Sequence, residues 1–239
     1  MWAKLERYFE KVQSIIKQVI LTQAGMMHKA SERCAKVLLA NKQLFFFGTG
    51  HSHMLAEEAY YRAGGFKQVK PILETALMLH ESAVKSTRME RMEGYADILL
   101  DEHKVGQDDL IFIISNSGLN AVPVEMAFGA KARGADVIAI TNVKHSMSAA
   151  PRHSSGKKLY EIADIVLDNC GDRGDASVRL ENVGVAVGPT SSVIGAFIIN
   201  SVMVQVADNI ARQGLVPQVY VSANVEEGDT HNAKLAEND

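Results

Sequence analysis

Cysteine is scarce in this 239-residue chain. Cys34 and Cys170 are the two present, and they form no CxxC pair. A disulfide framework or a zinc ribbon cannot be built from two distant thiols, so a reducing, cytoplasmic setting is expected. Excess charge is also lacking. Twenty-five basic residues face 28 acidic ones, a formal net charge of −3. That balance speaks against a strongly basic nucleic-acid binder. Hydrophobic residues make up 47%, so the poor hydrophobicity that keeps chains disordered is missing too. There is no internal repeat and no long low-complexity stretch. The longest apolar stretch, Val193 to Ile210, is interrupted by Asn200, Ser201, Gln205, Asp208 and Asn209. A membrane span needs roughly 20 mostly apolar residues, so a buried helix is expected, with no membrane partner. Met1 to Glu10 reads MWAKLERYFE, too charged for a secretory signal.

What the sequence does contain is rhythm. Leu5, Tyr8, Phe9, Val12, Ile15, Ile16, Val19 and Ile20 recur at three- and four-residue steps, which predicts a helical extension over residues 1–40. Gly25 is a candidate break or kink in it. Next, short apolar runs alternate with helical segments. Leu44–Phe47, Val69–Leu73, Leu110–Ile114, Val137–Ile140 and Ile165–Leu167 read as strands. Helices are expected over Ser52–Arg62, residues 88–100, about Asn120–Arg133 and about Ser191–Arg212. Residues 74–87 are ambiguous, Val183–Val187 is a further apolar run, 143–158 a polar basic connection, and 214–239 a polar tail. Continuous apolar strands with interleaved helices predict an α/β fold: a parallel sheet covered on both faces, over residues 41–213. Ligands of such sheets sit at the carboxyl ends of the strands.

Two strand-to-helix loops there carry chemistry. Gly48-Thr49-Gly50-His51-Ser52 lets the backbone turn tightly and puts Ser52 at a helix start, where it either caps the helix or meets an anion. A dinucleotide fingerprint needs a third glycine, and His53 holds that place. Glu74 stands near where a ribose-binding acid would be, but no nicotinamide or other cofactor is expected. Ser115-Asn116-Ser117-Gly118-Leu119-Asn120 follows another strand. Its hydroxyls and amides suit a phosphate monoester. His51-Ser52-His53 could offer two metal ligands, but the sequence shows no partner set, so no metal is expected.

FFFGTGHS (45–52), IISNSG (113–118) and AITN (139–142) together resemble the sugar isomerase (SIS) domain family, over about residues 40–212. The resemblance implies a flavodoxin-like three-layer fold with a five-stranded, mainly parallel sheet. It also implies a phosphorylated sugar as ligand, held by Ser115 and Ser117, with Gly50, Ser52, Asn116 and Asn120 around it. The family usually has Ser or Thr where Asn120 stands. Gly188-Pro189-Thr190-Ser191-Ser192 resembles the hydroxyl run opening the last helix of the N-acetylmuramic acid 6-phosphate etherase branch. That adds Thr190, Ser191 and Ser192, which would otherwise be simple caps. In that etherase and in the phosphoheptose isomerase, a catalytic glutamate follows the first-loop serine by ten positions. Arg62 occupies it here, and the acids available are Glu57 and Glu58, about one turn earlier.

The implied activity is aldose–ketose isomerisation or sugar-phosphate lyase or etherase chemistry. Glu58 or Glu57 would be the base, and His51 or His231 the acid. His231 matches in placement a C-terminal histidine that, in some relatives, reaches a neighbouring subunit's site. The alternative is a non-catalytic phosphosugar sensor, which Arg62 favours. Basic residues of the 143–158 connection, Arg152 among them, could neutralise an anionic ligand or simply be solvated. A homodimer or homotetramer is expected, since relatives place sites at dimer interfaces.

Overall fold

The computed structural model describes residues 3–236. Met1 and Trp2 of the N-terminal segment and residues 237–239 of the tail lie outside the described residues.

Chain order is α1 (Ala3–Leu39), β1 (Leu44–Gly48), α2 (His53–Ala59), β2 (Val69–Ile72), α3 (Ala83–Met89), α4 (Tyr95–Glu102), β3 (Leu110–Ile114), α5 (Ala121–Ala132) and β4 (Asp136–Thr141). Then follow α6 (Val143–Met147), α7 (Leu159–Ile162), β5 (Ile165–Asp168), β6 (Ala176–Val178), β7 (Val187–Pro189), α8 (Ser191–Ala211) and α9 (Gly228–Ala236). The sheet runs β2-β1-β3-β4-β5, and every pairing in it is parallel. This is the α/β architecture read from the alternation.

Burial explains the unbroken apolar strands. Successive residues point to opposite faces, and both faces are covered. Leu44, Phe46, Leu110, Phe112, Ile138 and Ile140 pack with residues of α1, α2 and α8. Phe45, Phe47, Ile111, Ile113, Val137 and Ala139 pack with those of α4, α5 and α7. Phe46 and Phe112 stack with centroids 4.5 Å apart, worth about 0.5–1.5 kcal/mol beyond simple burial.

Several elements differ from the sequence reading. α1 passes through Gly25 unbroken, because tertiary packing against α8 overrides a propensity cost of about 1 kcal/mol. α2 stops at Ala59 instead of Arg62, and Tyr61 takes a left-handed φ of 40°. The chain turns there to meet the C-terminal stretch. Gly64 N–H donates to Tyr220 O, Tyr220 N–H donates to Gly65 O, and Phe66 bridges Val219. The tail thus carries structure of its own. The single helix expected over 88–100 is two, α3 and α4, separated at Gly94 with φ 85°. α6 interrupts the 143–158 connection, capped by the Asn142 side chain accepting from His145 N–H at 2.8 Å. Val183 and Val185 are exposed, and Val187 opens the second strand of a β6–β7 hairpin. α8 matches its expected span. It is long and apolar enough to cross a membrane, and Ile194, Ile198, Ile199, Val202 and Val206 are buried.

Candidate functional site

β1 lies between β2 and β3, so strand order reverses at the β1–β3 boundary. Crevices at such a switch point are where open α/β sheets bind ligands. Gly48 pairs with Ile114 there, which brings the two loops side by side. Ser52, Leu55, Ile114, Asn116, Ile140, Asn169, Ser191 and Ser192 line one narrow crevice. Three separate junctions, after β1, after β3 and before α8, thus meet at one crevice, while Gly50, Ser115, Ser117, Asn120 and Thr190 are not among its lining residues. A larger cavity, about 470 Å³, opens at the opposite, amino edge between α1 and the starts of β4 and β5. Its lining is mixed charge, and the Arg33–Asp136 ion pair crosses it. It sits at the wrong end of the sheet for the loops that carry donors.

The β1 loop is built on a steric demand. A Cβ on Gly48 would stand 2.5 Å from the Ser52 backbone, so only glycine lets the loop fold back on itself. Gly50 follows with φ 57°. The Ser52 side chain does not cap α2, and it faces the crevice. His51 is exposed, while the buried His53 ring bonds the Gly50 carbonyl.

The β3 loop holds donors. Ser115 is buried, and its Oγ accepts from Gly118 N–H at 3.1 Å. That hydroxyl shapes the loop instead of facing outward. Gly118 adopts φ 61°, and a Cβ there would meet Thr141 Oγ1 at 3.1 Å and Leu159 Cβ at 3.2 Å. A left-handed residue is one half of the backbone geometry of an anion-binding nest. Among the described residues, the N–H groups of Asn116, Ser117, Leu119 and Asn120 donate to nothing within the chain. Asn120 is the N-cap residue of α5 but makes no side-chain cap. Its Oδ1 instead accepts from Arg152 Nη1 at 2.7 Å. So one member of the basic connection, Arg152, is anchored beside this loop. Asn116 Oδ1 accepts from Asn169 Nδ2 at 2.8 Å.

The α8 start is different. Asp175 Oδ1 accepts from the N–H groups of Thr190 and Ser191, at 3.0 and 2.7 Å. Asp175 Oδ2 accepts the Ser191 hydroxyl at 2.7 Å. Thr190 is fully buried. Thr190 and Ser191 are thus engaged by a carboxylate of the chain itself.

The acids and histidines nominated from sequence are dispersed. Glu58 pairs with Arg62 and accepts from Asn200 Nδ2 at 3.0 Å. Asn200 lies nine residues past Ser191, about 13 Å along α8. Glu57 is exposed, 3.7 Å from His53 Nε2. His231, on α9, is exposed and bonds the Val219 carbonyl at 3.0 Å.

Sequence reasoning did not single out Glu90, Asp175 or Asn169. Glu90 Oε2 accepts the Thr49 hydroxyl at 2.7 Å. Its carbonyl accepts Val122 N–H at 3.1 Å, so it touches both the glycine loop and the first turn of α5. Asn169 directly follows β5 and was the most legible of the three, since a polar residue at a strand's carboxyl end is a site signal.

The comparisons with known proteins fit this geometry. The SIS domain family matches residues 7–142. A UPF0309 protein of Geobacillus thermodenitrificans strain NG80-2 is 41% identical over 233 residues, 98% of this chain and 94% of the relative. Among solved structures, the phosphoheptose isomerase of Neisseria gonorrhoeae has a TM-score of 0.59 at 16% identity, covering 86% of this chain and 98% of that one. The Vibrio vulnificus NanR protein complexed with ManNAc-6P has a TM-score of 0.50 at 15% identity, covering 98% of this chain and 67% of that one. At such identities these two structures show the shared fold. Family match, close relative and fold agree, and the chain belongs to the SIS domain family.

Proposed function

We propose that this chain binds a phosphorylated sugar and isomerises it between aldose and ketose forms. The observation that carries the reading is the nest of open amides at Asn116, Ser117, Leu119 and Asn120. Paired backbone donors are the rule in folded chains, and a concave run of open ones fits a phosphoryl group. Arg152, already bonded to Asn120, adds a guanidinium whose donors suit phosphate oxygens. The sugar would then extend across the crevice, where Ser52 and Ser192 offer neutral hydroxyls. Fold neighbours support the substrate class: one is a phosphoheptose isomerase and one is held with ManNAc-6P.

Isomerisation removes a proton from the carbon beside a carbonyl and returns it to the neighbouring carbon. Glu90 is the base in this proposal, because its carboxylate meets the glycine loop and its backbone meets α5. Glu58 is turned instead toward Arg62 and Asn200. His51, on the glycine loop, is the proposed acid. Turnover of a panel of hexose, heptose and amino-sugar phosphates tests the assignment. Glu90→Gln should keep binding and lose about 100-fold or more of turnover. Unchanged turnover in that variant, with loss in Glu57→Gln or Glu58→Gln, would return the base to α2.

A second reading, a phosphosugar sensor without chemistry, is favoured by the engagement of Glu58 with Arg62. Binding without product across the same panel would select it. A homo-oligomer is also proposed. Leu5, Phe9 and Leu21 on α1 and Val204 on α8 face solvent, with Leu21 83% exposed, and apolar side chains left out on packed helices fit a second copy. A monomeric mass by light scattering would count against it.

A further inference from the structure

Three metal-ligating side chains converge beside the phosphate loop without lining the crevice. Glu93 sits in the turn between α3 and α4, Glu125 on α5, and His153 in the connection after α6. We infer that Glu93, Glu125 and His153 form a binding site for a divalent transition-metal cation of the zinc class. The sequence points to no metal, since the His51–His53 pair has no partner set near it. These ligands come from three separate segments and share no spacing pattern.

The geometry is close to what a cation needs. One ligand atom from each residue lies within 4.8 Å of the others. His153 Nε2 is 3.4 Å from Glu125 Oε1 and 4.0 Å from Glu93 Oε2. Ligand atoms of a tetrahedral site with bonds of about 2.0–2.2 Å stand about 3.3–3.6 Å apart. The His153–Glu125 edge already has that length. Glu93 carries the half-exposed side chain and is the ligand that has to close in, sharing an oxygen with Ser154 as it does so.

Each ligand is held in aim by its own outer contacts. Gly94 N–H donates to both oxygens of Glu125 at 2.8 Å. Ser154 donates its N–H to Glu93 Oε1 and its hydroxyl to Oε2, both at 2.7 Å. Outer bonds of this kind fix the ligand orientations of protein metal sites.

Charge provides an independent reason. Among the described residues, neither Glu93 nor Glu125 pairs with a lysine or arginine. Two carboxylates therefore face one imidazole whose side chain is 10% exposed. A cation balances that charge. Ser155 completes the arrangement. Its N–H reaches His153 Nδ1 at 3.1 Å, and its Oγ lies 2.7 Å from the same nitrogen. Without a cation, Nδ1 accepts the amide and Nε2–H points at Glu125. With a cation, the proton moves from Nε2 to Nδ1, where Ser155 Oγ accepts it; the Ser155 N–H gives up its bond to that nitrogen, and Nε2 is free to ligate. One imidazole with two carboxylates suits zinc or manganese better than calcium or magnesium, which prefer all-oxygen shells. A cation there would tie down the segment carrying Arg152, the neighbour of His153.

Calorimetric titration of the chelator-treated full chain with Zn²⁺ tests the inference, with Co²⁺ absorption as the spectroscopic readout. One equivalent should bind, and the Co²⁺ bands should be those of a four- or five-coordinate nitrogen–oxygen site. His153→Ala and Glu125→Gln should each weaken binding about tenfold or more. Glu93→Gln, at a more exposed position, should do the same and guards against a folding artefact. Circular dichroism confirms that each variant is folded. Absence of stoichiometric binding in the unsubstituted chain would overturn the site, as would affinity in the three variants unchanged from that of the unsubstituted chain. Neither result depends on whether a sugar phosphate binds.

Discussion

α5 and α8 open at the same edge of the sheet, beside the same crevice, yet their first turns stand in opposite conditions. At α8, Asp175 takes the Thr190 and Ser191 amides and the Ser191 hydroxyl. At α5, the preceding loop keeps four amides open, and the nearby charge is the Arg152 guanidinium. Both helices offer the same partial positive charge to an anion. The difference is that one start has an internal anion and the other has an internal cation. Ligand capacity at this edge is therefore decided by side chains reaching in from other segments.

The largest effect should come from Gly118→Ala. The substitution forces a side chain onto a left-handed residue and into Thr141 and Leu159, flattening the nest. Sugar-phosphate affinity should fall about 100-fold, combining conformational strain with lost donors. Calorimetry on a folded variant checks it, and retained affinity would break the contrast at its strong end. Asp175→Ala attacks the other end. It leaves three donors without their acceptor and should cost about 1–2 kcal/mol in urea unfolding, while affinity at α5 changes little. A large loss of sugar-phosphate affinity there would mean that α8 is the principal anion site. Arg152→Ala is gentler: about a five- to tenfold loss of affinity, as for one charge-assisted hydrogen bond, and a weaker salt dependence.

Much of the scaffold was legible because its physics is local. A strand buried on both faces has to be continuously apolar, and β1 and β3 are. Gly48 and Gly118 were visible as turn residues because no other residue fits their backbones. The convergence of Ser52, Asn116, Ser191 and Ser192 followed from the strand-end rule. Hydrogen bonds between remote segments were not legible. Glu90 meets Thr49 across 41 residues and Asp175 meets Ser191 across 16. In sequence each is one acid among 28. Ser115 shows the converse: its motif position is right, yet its hydroxyl turns inward onto Gly118. The break between α3 and α4 was missed because the apolar rhythm continues past Gly94, while the backbone takes a left-handed turn there.

The smallest effect concerns the loop that carries Asp175. His145 Nδ1 accepts Gly174 N–H at 2.9 Å, which requires that nitrogen unprotonated. Burial, and then Arg173, push its pKa below the ordinary 6.5. A folded pKa below the unfolded one means the unfolded chain takes up protons first. This contribution to stability is complete above about pH 6.5 and is lost as pH falls below it. His145→Asn should flatten the difference in unfolding free energy between pH 7.5 and 5.5. An unchanged slope would show that the bond does not hold the loop.

Amide chemical shifts, followed while the full chain is titrated with inorganic phosphate and then with a sugar phosphate, test the central claim most directly. Saturable shifts should concentrate at Asn116, Ser117, Leu119 and Asn120, with Thr190 and Ser191 nearly still. Shifts centred on the α8 start or on the amino-edge cavity by Arg33 and Lys36, or no saturable shift at all, would contradict it.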